Sequence, residues 1–124
     1  VIHLDTSFLI RALMPRTAQD RELRRWLAQG ETVAMSVVAW TEFLCGPADH
    51  DAIVAVAGLL AERVPLVEED ALRAAGLFNA SGRRRGSLLD CMIAAVALRC
   101  GTPLATANPS DFRPFAREGL NLLP

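Results

Sequence analysis

The sequence predicts an α/β domain built on a mainly parallel sheet of four or five strands. Three observations carry this reading. Short apolar runs recur at Val1–Leu4, Thr32–Met35, Val64–Val67, Thr102–Thr106 and Leu120–Leu123. Longer segments with helical periodicity separate them, and such alternation is the pattern of strand–helix–strand units. The chain has 124 residues, 52% of them hydrophobic and 22% charged, which suits a single domain over residues 1–124 with one core. The same composition excludes a disordered, collagen-like or low-complexity chain.

Val1-Ile2-His3-Leu4 is too short for a helix and ends at Asp5, as a buried first strand would. Thr6 or Ser7 then caps a helix through Phe8, Leu9, Ile10, Ala12 and Leu13, which Pro15 stops. Thr17 and Asp20 have capping-box spacing for a second helix, with Leu23 and Leu27 on one face and Gly30 at its end. After the second strand, Ser36 caps a helix carrying Val37, Val38, Trp40, Phe43 and Leu44, and Gly46-Pro47 ends it. Ala48–Arg63 reads as a helix with Ile53, Val56, Ala57 and Leu60 along a broad apolar face. The third strand leads into Glu68-Glu69-Asp70, an acidic first turn that complements the partial positive charge of a helix N-terminus. That helix runs through Leu72, Ala75, Gly76 and Phe78 to the loop at Ser81-Gly82. Leu88–Arg99 is a strongly apolar helix ending at Gly101. Asn108-Pro109 opens one more helical turn before the fifth strand.

Thirteen basic against fourteen acidic residues give a net charge of −1, which excludes a uniformly cationic nucleic-acid-binding surface. All the basic residues are Arg, a bias that codon usage explains but that favours phosphate and carboxylate as partners. Cys45, Cys91 and Cys100 lack metal-ligand spacing and lie in apolar stretches, as buried reduced thiols of a cytoplasmic protein do. No run approaches the ~20 apolar residues of a membrane helix. Val1–Asp5 lacks the basic start and apolar core of a signal peptide.

The chemistry is expected among acids in apolar surroundings. In a parallel sheet, ligands bind beyond the carboxyl ends of the strands. Asp5 ends strand one, and Asp111 follows strand four by a few residues. Glu42 lies inside the apolar helix Val37–Leu44, and Asp90 opens another above Ile93, Ala94 and Ala97. A carboxylate in such a place is costly unless its charge is compensated, and several together repel. A hard divalent cation resolves both difficulties, and oxygen ligands select Mg²⁺ or Mn²⁺. Each acid also has a plain structural reading. Ser87-Leu88-Leu89-Asp90 has capping-box spacing, and Asn108, Pro109 and Asp111 fit the N-cap, first and third positions of a helix. Glu42 could reach solvent, and Asp5 could close a strand-to-helix turn. Spacing alone leaves these alternatives open.

Four motifs occur in order over almost the whole chain. Asp5-Thr6-Ser7-Phe8-Leu9-Ile10 resembles the opening motif of PIN-domain ribonucleases, an apolar strand ending in Asp-Thr-Ser or Asp-Thr-Asn. Trp40-Thr41-Glu42-Phe43-Leu44-Cys45-Gly46 resembles their second motif, and Leu89-Asp90-Cys91-Met92-Ile93-Ala94-Ala95-Val96-Ala97 is similar to the third. Leu104-Ala105-Thr106-Ala107-Asn108-Pro109-Ser110-Asp111-Phe112 resembles the fourth, T-x-N-x-x-D-F. The resemblance implies a PIN-like three-layer α/β/α fold and an endoribonuclease dependent on Mg²⁺ or Mn²⁺. It makes Asp5, Glu42 and Asp90 catalytic metal ligands. The fourth position stays open between Asp111 and Asn108, because some members carry an acid where Asn108 stands. Ser7, Thr106 and Asn108 are then suited to orienting water, and Arg83, Arg84, Arg85 and Arg11 to contacting RNA phosphate. Size and motif style are similar to VapC toxins of toxin–antitoxin pairs. That implies RNA hydrolysis that inhibits translation, a homodimer, and a VapB-like antitoxin with an apolar helix, for which Val37–Leu44 and Ala52–Leu60 are candidate walls.

Two other readings discriminate themselves by single residues. A haloacid-dehalogenase-like phosphatase also begins with a strand and Asp, but needs a second Asp where Ser7 stands. A degenerate PIN domain, binding RNA or protein without catalysis, would be consistent with the amide at Asn108.

Overall fold

All strand pairings are parallel. The computed structural model describes residues 1–123. In chain order the elements are β1 (Ile2–Leu4), α1 (Thr6–Ala12), α2 (Ala18–Ala28), β2 (Val33–Ser36), α3 (Val37–Leu44), α4 (His50–Leu59), β3 (Glu62–Val64), α5 (Glu68–Ala80), α6 (Leu88–Cys100), β4 (Leu104–Ala105), α7 (Pro109–Ala116) and β5 (Leu122–Leu123). The five strands line up as β3-β2-β1-β4-β5. The chain winds outward from β1 through β2 to β3, then returns across the sheet to β4 and β5. This reversal makes a topological switch point between β1 and β4, where His3 pairs with Leu104 and Leu4 with Ala105. The crossovers layer helices on both faces, as right-handed connections in both directions require.

The central strands are buried on both faces, so they read as continuous apolar runs. Phe8, Phe43, Phe112 and Phe115 anchor the core beside Leu4 and Met35. On α2 the buried pair is Leu23 and Trp26, and Leu27, expected beside Leu23, faces outward. The reason is tertiary, since the Trp26 ring stacks on Phe8 with centroids 5.4 Å apart.

Several boundaries differ from the sequence pattern. The helix expected over 48–63 ends at Leu59, and the third strand is Glu62–Val64 rather than Val64–Val67. Pairing with β2 decides this, because Ala61 N–H donates to the Val33 carbonyl at 2.9 Å and Ala34, Met35 and Ser36 pair with Glu62, Arg63 and Val64. An edge strand leaves Glu62 and Arg63 in solvent, so no apolar signal marks it. The turn expected at Asn108 extends to the two-turn helix α7, held by buried Phe112 and Phe115. Asp5, not Thr6 or Ser7, caps α1, with its carboxylate accepting the Thr6 N–H at 2.9 Å. The Thr17 hydroxyl caps α2, but the Asp20 carboxylate turns to the Arg16 N–H, leaving half of the expected box. Of the three thiols only Cys91 is buried, while Cys45 and Cys100 are exposed, and all three are free.

His3 in β1 is buried, and its pKa falls to about 4, through burial first and then the positive amino terminus and Arg99. The folded chain therefore resists protonation between pH 6.5 and about 4 while the unfolded chain accepts it. Stability contributed by neutral His3 is complete above pH 6.5 and is lost as pH falls through that window. Chemical denaturation at pH 7 and pH 5 should show a loss of about 2 kcal/mol from this group. His3→Leu should lack that part of the loss, and equal pH sensitivity of the two proteins would refute the assignment.

Candidate active site

The sheet reversal brings the carboxyl ends of β1 and β4 side by side, and Asp5 N–H donates to the Ala105 carbonyl at 2.9 Å. Asp5 and Thr106, a hundred residues apart in sequence, thereby become neighbours. Asp5 Oδ2 accepts the Ser7 hydroxyl at 2.7 Å and the Thr106 hydroxyl at 2.8 Å. Asp5 Oδ1 accepts the Thr6 N–H. With both hydroxyl protons directed at Asp5, the oxygens of Ser7 and Thr106 are left as acceptors. Ser7 accepts the Ala107 N–H at 3.1 Å and Thr106 accepts the Asn108 N–H at 3.0 Å. The network closes the turn after β4 onto the start of α1. It orients the Asp5 carboxylate without a counter-charge.

Ser36 Oγ caps α3 by accepting the Ala39 N–H, and this sets the helix that carries Glu42 beside α1. The Thr6 hydroxyl lies 2.8 Å from the Ala39 carbonyl and 3.3 Å from Glu42 Oε1. Thr6 thus joins the Asp5 turn to the Glu42 helix, a role sequence reasoning missed. Its only signal was its place directly after the motif Asp.

Asp90 enters on the first turn of α6. Its capping alternative fails, because that helix start has no side-chain cap and the Ser87 hydroxyl donates to the Arg84 carbonyl at 2.7 Å. The Asn108 side chain likewise makes no cap bond at α7. Burial pushes the Asp90 carboxyl up to about 7, and the charges of Asp5, Asp111 and Glu42 push the same way against Arg84. Glu42 is also raised, by burial and then by Asp5. Burial raises Asp5, while the Ser7 and Thr106 hydroxyls oppose it. The four sequence-predicted acids therefore share one electrostatic environment. They do not form a ready-made cage, since no group of three His, Cys, Asp or Glu is arranged to hold a metal among the described residues.

The arginines separate. Arg84 lies 3.4 Å from Asp111 and is the guanidinium that faces the acids. Arg83 stands over the Phe78 ring at 5.3 Å and donates to Asn79. Arg85 is exposed and has no ion pair among the described residues. Arg11 sits exposed in the last turn of α1, the helix that Asp5 caps. An apolar hollow of about 490 Å³ beside Glu42 is lined by Val38, Cys45, Leu89 and Met92.

An oxygen-only donor set of mutually repelling acids fits a hard divalent cation and offers nothing to a softer metal. Asp5, Glu42 and Asp90 are the residues that would hold it, while Asp111 lies 3.4 Å from Arg84. Comparison with known proteins agrees with this architecture. One family, described as PIN domain, matches residues 2–118. The fold is similar to VapBC2 of Rickettsia felis bound to a promoter DNA fragment, with TM-score 0.75 and 19% identity over 98% of this chain and 96% of that one. VapBC-1 of nontypeable Haemophilus influenzae gives TM-score 0.75 and 21% identity over 98% and 96%. The sarcin–ricin-loop-cleaving toxin VapC20 of Mycobacterium tuberculosis gives TM-score 0.63 and 22% identity over 86% and 87%. No curated protein sequence matches the chain.

Proposed function

The chain belongs to the PIN domain family, and on that premise we propose that it is a Mg²⁺- or Mn²⁺-dependent endoribonuclease toxin of the VapC kind. One observation carries the reading. Four acids from separate elements meet electrostatically at the switch point of a parallel sheet, and the innermost, Asp5, is fixed by three donors.

Asp5, Glu42 and Asp90 would hold the cation, and Asp111 faces Arg84 beside them. A cation bound there would supply charge neutralisation for the phosphate and a lowered pKa for a water. Ser7 and Thr106 act by orienting Asp5, and the turn at Ala107 and Asn108 holds those hydroxyls in place. Arg84 can leave Asp111 for a substrate phosphate, to which its planar fork is matched. Neither histidine serves as general base, since His3 is buried in β1 and His50 opens α4, a helix that carries none of the acids.

The partner surfaces follow the same reading. A VapB-like antitoxin would lay an apolar helix in the hollow lined by Ile10, Leu13, Phe43, Pro47, Ala48 and Ala52, and a second copy would cover Leu88 and Leu89. Among the described residues no helix is long and apolar enough to cross a membrane, and action in the cytoplasm, on RNA that supports translation, completes the proposal.

The test is direct. The purified chain should cut single-stranded RNA with Mg²⁺ or Mn²⁺, lose that activity in EDTA, and leave a phosphomonoester intact. Cleavage unaffected by EDTA, or absent with both metals, would overturn the proposal, and absence together with retained RNA binding would favour the non-catalytic PIN module.

A further inference from the structure

A groove of about 530 Å³ runs between the end of α5 and the outer face of α7. Arg113, Arg117, Ser110 and Ser81 line it over a floor of Leu77, and Glu118 is the one acid on its walls. The α7 sequence builds this face. Ser110, Arg113, Pro114 and Arg117 follow the i, i+3, i+4, i+7 pattern of one helical stripe. Phe112 is buried on the opposite side, and buried Phe115 closes the groove's base beside Leu77. Neither Arg113 nor Arg117 is in an ion pair among the described residues, unlike Arg84, Arg24, Arg25 and Arg99. Arg73 adds a third guanidinium at the far end, donating to the Glu118 carbonyl at 3.1 Å.

Both walls of the groove lead to the acids. On one wall Ser110 lines the groove and the next residue, Asp111, faces Arg84. On the other wall Ser81 lines the groove and Arg84 follows three residues later. The groove is thus joined to the Arg84–Asp111 contact through both of its walls, and its free charge has the sign opposite to a nucleic-acid backbone.

We propose that this groove is a track for the RNA strand, holding backbone phosphates on Arg113 and Arg117 to one side of the point of cleavage. The inference rests on the nuclease reading above. Contacts of Arg113 and Arg117 to phosphate carry no sequence information, so the track contributes affinity without sequence preference.

The test measures binding rather than cleavage. An Asp90→Asn protein, which leaves the strand uncut, is titrated with a fluorescein-labelled single-stranded RNA of about 20 nucleotides, long enough to leave the site and enter the groove, and anisotropy is followed over a range of salt. Adding Arg113→Gln and Arg117→Gln should weaken binding about tenfold. It should also reduce the slope of log affinity against log salt by about 1.4, the share of two phosphate contacts on a single strand. Arg24→Gln with Arg25→Gln removes the same charge from α2 and should leave the slope unchanged. Glu118→Gln should tighten binding a few-fold, an outcome that does not depend on the arginine variant folding. Equal slopes in the two double-arginine variants, or no effect of Glu118→Gln, would overturn the track while metal-dependent cleavage by the wild type still upheld the nuclease reading. No RNA binding by the Asp90→Asn protein would also overturn the track, and the wild-type cleavage assay would decide the nuclease reading separately.

Discussion

Asp90→Asn should abolish RNA cleavage by about 10³-fold and at the same time raise the melting temperature of the metal-free protein. The first effect follows from losing a ligand to a cation that supplies several kcal/mol of transition-state stabilisation. The second follows from the charges around α6. Asp90 has a carboxyl raised to about 7 by burial and by three other acids. A raised carboxyl favours folding below its unfolded pKa of 3.8, and that contribution is lost as pH climbs to about 7. At pH 7.5 the ionised group therefore opposes the fold. It is half-exposed, so after discounting for solvent the amide should gain about 1 kcal/mol, or roughly 4 °C. A thermal melt in EDTA, repeated with Mg²⁺, checks both halves. Mg²⁺ should stabilise the wild type and leave the variant unmoved. A variant that melts lower in EDTA, or still cuts RNA, would make Asp90 a structural residue.

Asp70→Ala should be among the most destabilising changes outside the aromatic core. Asp70 is buried, with its side chain 1% exposed, and accepts the Arg99 Nε at 2.9 and 3.1 Å. Its Oδ2 also accepts the Val67 N–H at 2.9 Å, holding the start of α5. Arg99 in turn donates to the Pro65 carbonyl at 2.8 Å, so the pair ties α5, α6 and the chain after β3 together. Removing the buried carboxylate leaves the Arg99 Nε and the Val67 N–H without their acceptor, at about 3 kcal/mol. The melting temperature should fall by about 10 °C. Replacing both partners with apolar residues, Asp70→Leu with Arg99→Met, should recover much of that loss. An alanine variant within ~0.5 kcal/mol of the wild type in urea denaturation would show that the pair contributes only geometry.

Local chemistry determined much of this protein in advance. Apolar runs, caps and breakers placed most of the helices and strands, because capping groups and the side chains that pack a helix against a sheet are contiguous in sequence. Asp5, Glu42, Asp90 and Asp111 were legible for a related reason, as carboxylates in stretches where charge is costly. Their joint membership in one site was legible only through the ordered motifs. The two charged residues of β3 were not legible, because an edge strand has no buried face on which to show alternation.

Tertiary structure alone decided the rest. It chose Trp26 over Leu27, since only Trp26 meets Phe8. It split the arginine run, sending Arg84 to Asp111 and Arg83 to Phe78. It gave the hydroxyls of Ser7 and Thr106 to Asp5, because the reversal of the sheet sets β4 against β1. The sequence by itself determined which groups are expensive to bury. Which of them compensate one another depends on contacts between residues up to a hundred positions apart, and those exist only once the sheet has closed its switch point.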